Sequence, residues 1–76
     1  MAKILIVEDD KGVAGILADV LDNEHHITDI APSLSEARHF LKISRYDMIL
    51  LDWELPDGSG VDLCRDLRRN GDSIPI

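Results

Sequence analysis

Three acids in a row, Glu8-Asp9-Asp10, stand directly after the apolar run Ile4-Leu5-Ile6-Val7. A fourth acid, Asp52, follows a second run of the same kind, Met48-Ile49-Leu50-Leu51. Unbroken aliphatic runs fit strands buried on both faces of a parallel sheet. Ligand sites in open α/β sheets lie outside the carboxyl ends of such strands, where strand order reverses. If the two strands are neighbours, about 4.8 Å apart, their terminal carboxylates converge. Converging carboxylates do not all stay ionised cheaply unless a cation joins them. Two or three hard oxygen ligands suit Mg²⁺, which keeps several waters and completes its shell with phosphate oxygens. One acid at a loop start is ordinarily just solvated. Two acidic clusters at matching strand ends shift the reading towards a cation site.

The elements that must hold these acids are readable in turn. Val13, Ile16, Leu17, Val20 and Leu21 recur at helical spacing after Asp10, which is placed to cap them. Gly12 and Gly15 weaken that helix by about 1 kcal/mol each. His26 to Ala31 reads as a short strand, and Ser33 with Glu36 makes a capping box for a helix facing inward with Leu34, Ala37, Phe40 and Leu41. Pro56-Asp57-Gly58-Ser59-Gly60 is turn chemistry. A third helix runs from about Val61 to Arg69, capped by Ser59 and stopped at Asn70-Gly71, and Ile74-Pro75-Ile76 opens a further strand. The alternation predicts an α/β fold on a parallel sheet, one domain or part of one.

Composition narrows the function. The 76 residues are 45% hydrophobic and 30% charged, an ordinary globular mix and not a disordered one. Eight Lys and Arg face 15 Asp and Glu, a formal net charge of −7, which argues against a nucleic-acid surface. Apolar runs stop at four residues, too short for a membrane span or a signal-peptide core, so a cytoplasmic polypeptide is expected. The single cysteine, Cys64, forms no internal disulfide and falls in line with Val61 and Leu67, a core position. His25, His26 and His39 lack metal-ligand spacing and read as surface or loop residues. Arg65, Arg68 and Arg69 read as a solvated helix face, and Trp53 as filler under the strand end.

Three blocks then carry a resemblance: Lys3-Ile4-Leu5-Ile6-Val7-Glu8-Asp9-Asp10, Met48-Ile49-Leu50-Leu51-Asp52 and Leu55-Pro56-Asp57-Gly58-Ser59-Gly60. In order and spacing they resemble the receiver domain of two-component response regulators. The resemblance implies a flavodoxin-like, three-layer α/β fold, which residues 1–76 would cover as far as the start of its fourth strand. It also implies that Asp52 takes a phosphoryl group from a sensor histidine kinase. Asp9 matches the main Mg²⁺ carboxylate, and Glu8 ligates the metal or holds one of its waters. Glu54 matches the position whose backbone carbonyl ligates it. Chemically, a carboxylate attacks an anionic phosphoryl group poorly until a divalent cation screens both partners. Helix starts nearby, including the one after Asp10, offer N–H groups to the anion.

The same resemblance implies a Ser or Thr after the fourth strand and a Lys after the fifth, and neither lies within residues 1–76. Slow or absent phosphorylation of this chain is therefore expected, as is self-association through an open, apolar sheet edge. Two rivals remain: a haloacid-dehalogenase-type phosphatase, whose nucleophile and acid Asp52 and Glu54 would imitate, and a non-phosphorylated interaction module. The phosphatase leaves Glu8-Asp9-Asp10 without a role. A calcium loop from Asp52 fails because its twelfth position is Leu63. The expectation is a phosphoryl acceptor and not an enzyme.

Overall fold

The computed structural model describes residues 1–76. The chain runs β1 (Lys3–Val7), α1 (Lys11–Asn23), β2 (Ile27–Ala31), α2 (Leu34–Ile43), β3 (Met48–Leu51), β4 (Glu54–Leu55), β5 (Gly58–Ser59) and α3 (Gly60–Arg69). The three longer strands form a parallel sheet in the order β2-β1-β3, and β4 and β5 make a separate two-residue hairpin. The chain thus steps to one side of β1 with β2 and then crosses to the other with β3. That reversal puts the switch point between β1 and β3.

Period-two alternation in β1 divides the core into two layers. Leu5 and Val7 join Ala31, Leu34, Ala37, Ile49 and Leu63 under α2 and α3, while Ile4 and Ile6 pack on Ala14 of α1. The four aliphatic residues of β1, Ile4 to Val7, are all buried, which is why the run shows no polar alternation. Each such side chain contributes about 1.5–3 kcal/mol of transfer free energy.

The caps follow the sequence closely. Asp10 Oδ1 accepts the N–H of Gly12 (2.9 Å) and of Val13 (3.2 Å). Ser33 Oγ accepts the Glu36 N–H at 3.2 Å, and Ser59 Oγ accepts that of Val61 at 3.2 Å.

Several expectations are corrected. The buried stripe of α1 is rotated: Ala14, Leu17, Ala18 and Leu21 face the sheet, while Val13, Ile16 and Val20 are 42%, 67% and 56% exposed. The small Ala14 and Ala18 let the helix lie close on Ile4 and Ile6, which turns the bulkier branched residues outward. Ile74–Ile76 is not a regular strand. One ladder-type bond forms there, from the Ile49 N–H to the Pro75 carbonyl at 2.9 Å, and Pro75 has no N–H to return. Arg68 is not merely solvated, because its guanidinium donates to the carbonyls of Asp72 (2.8 Å) and Ile74 (2.9 Å) and so braces this segment. His26 likewise does local work, its Nδ1 accepting the Ala2 N–H at 3.0 Å. The turn after Pro56 is the tip of the β4–β5 hairpin.

Candidate functional site

Register brings the acids together. Val7 lies opposite Leu51 in the β1–β3 ladder, so the residues that follow, Glu8 and Asp52, leave the sheet side by side. Backbone hydrogen bonds carry the pairing one step further: Asp52 N–H donates to the Val7 carbonyl (3.0 Å) and Glu8 N–H to that of Ala31 (3.0 Å). Carboxylate oxygens of Glu8, Asp9 and Asp52 all lie within 4.8 Å of one another. This is the convergence expected from two strands ending in acid at a switch point.

Electrostatics bears the mark of crowding. Partial burial, and then the closeness of the Asp52 carboxyl, push the Glu8 carboxyl above its ordinary range, and the Asp10 N–H pulls against that rise. Asp52 is held in one orientation, its Oδ1 accepting the Trp53 N–H at 2.8 Å. An open hollow is lined by Glu8, Asp9, Asp10, Val13, Asp52, Trp53, Glu54, Leu55 and Pro56. All four anticipated acids, Glu8, Asp9, Asp52 and Glu54, line it. Oxygen donors in this number, at a solvent-open position, fit a small hard cation that keeps part of its water shell.

Asp10 takes its anticipated capping role, with a consequence for anion binding, and Trp53 departs from its expected one. Asp10 belongs to α1, and because its carboxylate takes the Gly12 and Val13 N–H groups, those donors are not free for an incoming anion. Trp53 does not fill space under the strand; it is 71% exposed on the rim of the acid hollow. Cys64 is half-buried, on the wall of an adjoining apolar hollow of about 540 Å³ that also takes in Leu50, Val61 and Ile76. Gly60 is required beside the site, since any Cβ there would collide with the Asp52 carbonyl oxygen.

Sequence reasoning missed Asp57. It sits at the hairpin tip, yet its two carboxylate oxygens accept the N–H groups of Leu34 (2.8 Å) and Ser35 (2.9 Å) at the start of α2. Those two hydrogen bonds hold its carboxyl below the usual carboxylate range. A separation of 23 residues leaves no local signal in the sequence.

The model of the response regulator receiver domain family matches residues 4–76. Two-component response regulator PhoP of Pseudomonas aeruginosa is 36% identical over 74 residues, covering 97% of this chain and 33% of the relative. Among solved structures, the receiver domain of a Francisella response regulator superposes with a TM-score of 0.94 at 28% identity, covering 99% of this chain and 62% of that one. Response regulator TrrA of Thermotoga maritima, solved in complex with Mg²⁺-BeF, gives 0.86 at 30% identity over 92% of this chain and 61% of that one. The chain spans about a third of the length of most of the curated relatives it matches, and less of one of them. With the flavodoxin-like order β2-β1-β3 and the match along almost all of its length, this chain belongs to the response regulator receiver domain family.

Proposed function

We propose that this chain accepts a phosphoryl group on Asp52 from a sensor histidine kinase, with Mg²⁺ held by Glu8, Asp9, Asp52 and the backbone carbonyl of Glu54. The observation that carries the reading is the meeting of Glu8, Asp9 and Asp52 within 4.8 Å at the β1–β3 switch point. Bound there, Mg²⁺ supplies the positive charge that offsets three carboxylates and the oxygens of an incoming phosphoryl group.

The chain's own residues supply orientation. With Oδ1 engaged by the Trp53 N–H, Asp52 presents Oδ2 as the attacking atom. A bond forms from Oδ2 to phosphorus as the bond from phosphorus to the donor's histidine nitrogen breaks. The electron pair leaves with that nitrogen, and the product is an aspartyl phosphate. Transfer of this kind depends on positioning and charge compensation more than on acid–base chemistry. The added charge at the sheet edge is what would bias a two-state surface.

The chain acts on this reading as a stoichiometric acceptor in the cytoplasm and not as a multiple-turnover enzyme. No helix is long and apolar enough to cross a membrane. Residues 1–76 hold the acceptor and its acids without the Ser or Thr and the Lys that the family's readout uses, so labelling of this chain alone should be slow. Self-association along the apolar β3 side is the accompanying partner proposal.

Incubation with a small acyl-phosphate donor and Mg²⁺ tests the function. One acid-stable, base-labile phosphoryl group per chain is expected, absent without Mg²⁺ and absent from Asp52→Asn. Repeated turnover of a generic phosphate ester would transfer the reading to the phosphatase class, and label that persists in Asp52→Asn would reject Asp52 as acceptor.

A further inference from the structure

The four N–H groups that open a helix have no partner within it. In α2 the N–H groups of the first three residues, Leu34, Ser35 and Glu36, are taken by side chains from two different parts of the chain. Ser33 provides for Glu36 through its Oγ, while its carbonyl accepts the Ala37 N–H (3.0 Å) as the first regular helical bond. Asp57 provides for Leu34 and Ser35 from the tip of the β4–β5 hairpin. The hairpin is pressed onto the same helix start by packing as well. Gly58, at φ +147°, brings its backbone so near Leu34 that a Cβ would lie 2.9 Å from Leu34 Cδ1. One turn further along α2, Arg38 pairs with Asp66 of α3 at 2.7 Å. Helix α2 is thereby fastened to the hairpin tip and to α3 beyond it.

Leu55 anchors the middle of the segment that leaves Asp52 in the core, and beyond it the segment has few ties. Its only hairpin pairing is two residues long, and the Gly60 N–H closes it onto the Trp53 carbonyl at 2.8 Å. Glu54 lies between those anchors, lining the acid hollow. We propose that Asp57 is a positioning residue for the acceptor loop, residues 53–59: by capping α2 from outside, it fixes the loop that presents Glu54 beside Asp9 and Asp52. A carboxylate suits the task because it accepts two N–H groups at once and carries charge that the helix N-terminus favours. The consequence for cation binding rests on the reading of the acid hollow given above; the consequence for the loop does not.

Two readouts on the full chain separate these. Asp57→Ala is compared with Ser33→Ala, which removes the other cap of the same helix without touching the loop, and with Asp57→Asn, which keeps one accepting oxygen. In metal-free protein, Asp57→Ala should speed amide hydrogen exchange at Gly60 by about fivefold or more, with Ser33→Ala near wild type and Asp57→Asn between. Mg²⁺ titration followed by Trp53 fluorescence should show a several-fold weaker midpoint for Asp57→Ala and none for Ser33→Ala. Equal effects of the Ala variants at Gly60 would reduce Asp57 to a helix cap and overturn the proposal. If Asp57→Ala does not fold, the Asp57→Asn comparison decides by the same criterion. A wild-type chain blind to Mg²⁺ would reject the cation site, while the exchange comparison still decides the role of Asp57.

Discussion

Glu8 and Asp9 are adjacent in sequence and yet differ in what surrounds them. Glu8 is partly covered and stands against Asp52, so its ionised form is disfavoured until a cation arrives; Asp9 is exposed. Two outcomes follow at this scale. Asp9→Asn should weaken Mg²⁺ binding by at least about tenfold, since losing even groups that only orient a ligand costs about that much. Binding should also weaken as pH falls through the raised Glu8 range, where protons compete with the cation, a dependence measurable in the same titration. The sign for folding is opposite. A carboxyl raised by folding contributes stability below its unfolded value and loses it as pH rises through the folded value. Glu8→Gln should therefore melt about 2–4 °C higher than wild type without metal at pH 7, while binding Mg²⁺ less well. A lower melting temperature would contradict the crowding described for Glu8.

At the scale of elements, the strand runs, their acidic ends and all three helix caps were legible, because each depends on residues within a few positions. What was not legible depends on contacts between elements. Of the α1 stripe read as Val13, Ile16, Leu17, Val20 and Leu21, Leu17 and Leu21 do face the sheet, while close packing of Ala14 and Ala18 on β1 turns Val13, Ile16 and Val20 outward. Asp57 reads as a turn residue until the fold carries α2 to it. Tyr46 is a further case. Its hydroxyl donates to Asp29 Oδ2 at 2.6 Å, joining the entry of β3 to β2 across the sheet, and the Lys3 Nζ lies 5.2 Å from its ring centre. Burial first, and then the Asp29 carboxylate, push the Tyr46 hydroxyl up to about 12. A group raised by folding stabilises below its unfolded value and less above it, so stability should fall as pH rises from about 10 to 12. Tyr46→Phe should cost about 1–2 kcal/mol in denaturant unfolding at pH 7 and flatten that alkaline decline. An alkaline decline unchanged in Tyr46→Phe would place its cause elsewhere.

For the molecule as a whole, the acid hollow and the apolar hollow lie side by side, sharing Glu8, Asp52 and Trp53. One favours a cation and the other favours cover. Self-association through the apolar side works against a net charge of −7, which repels a second copy until salt screens it. Sedimentation should accordingly show the chain associating, and more strongly at 0.5 M salt than at 0.05 M; a stable monomer at both would contradict the open-edge proposal. Mg²⁺ should favour association too, by offsetting the acids next to the apolar wall.

The central claim is that Glu8, Asp9 and Asp52 act together as a divalent-cation site beside the acceptor. Its most direct test is calorimetric titration of Mg²⁺ into the wild-type chain and into the Asp9→Asn and Asp52→Asn variants, with Trp53 fluorescence read in parallel. One saturable site per chain is expected, weakened by at least about tenfold in either variant, since each removes a charged oxygen ligand. A chain that takes up no Mg²⁺, or takes it up equally in all three proteins, contradicts the claim.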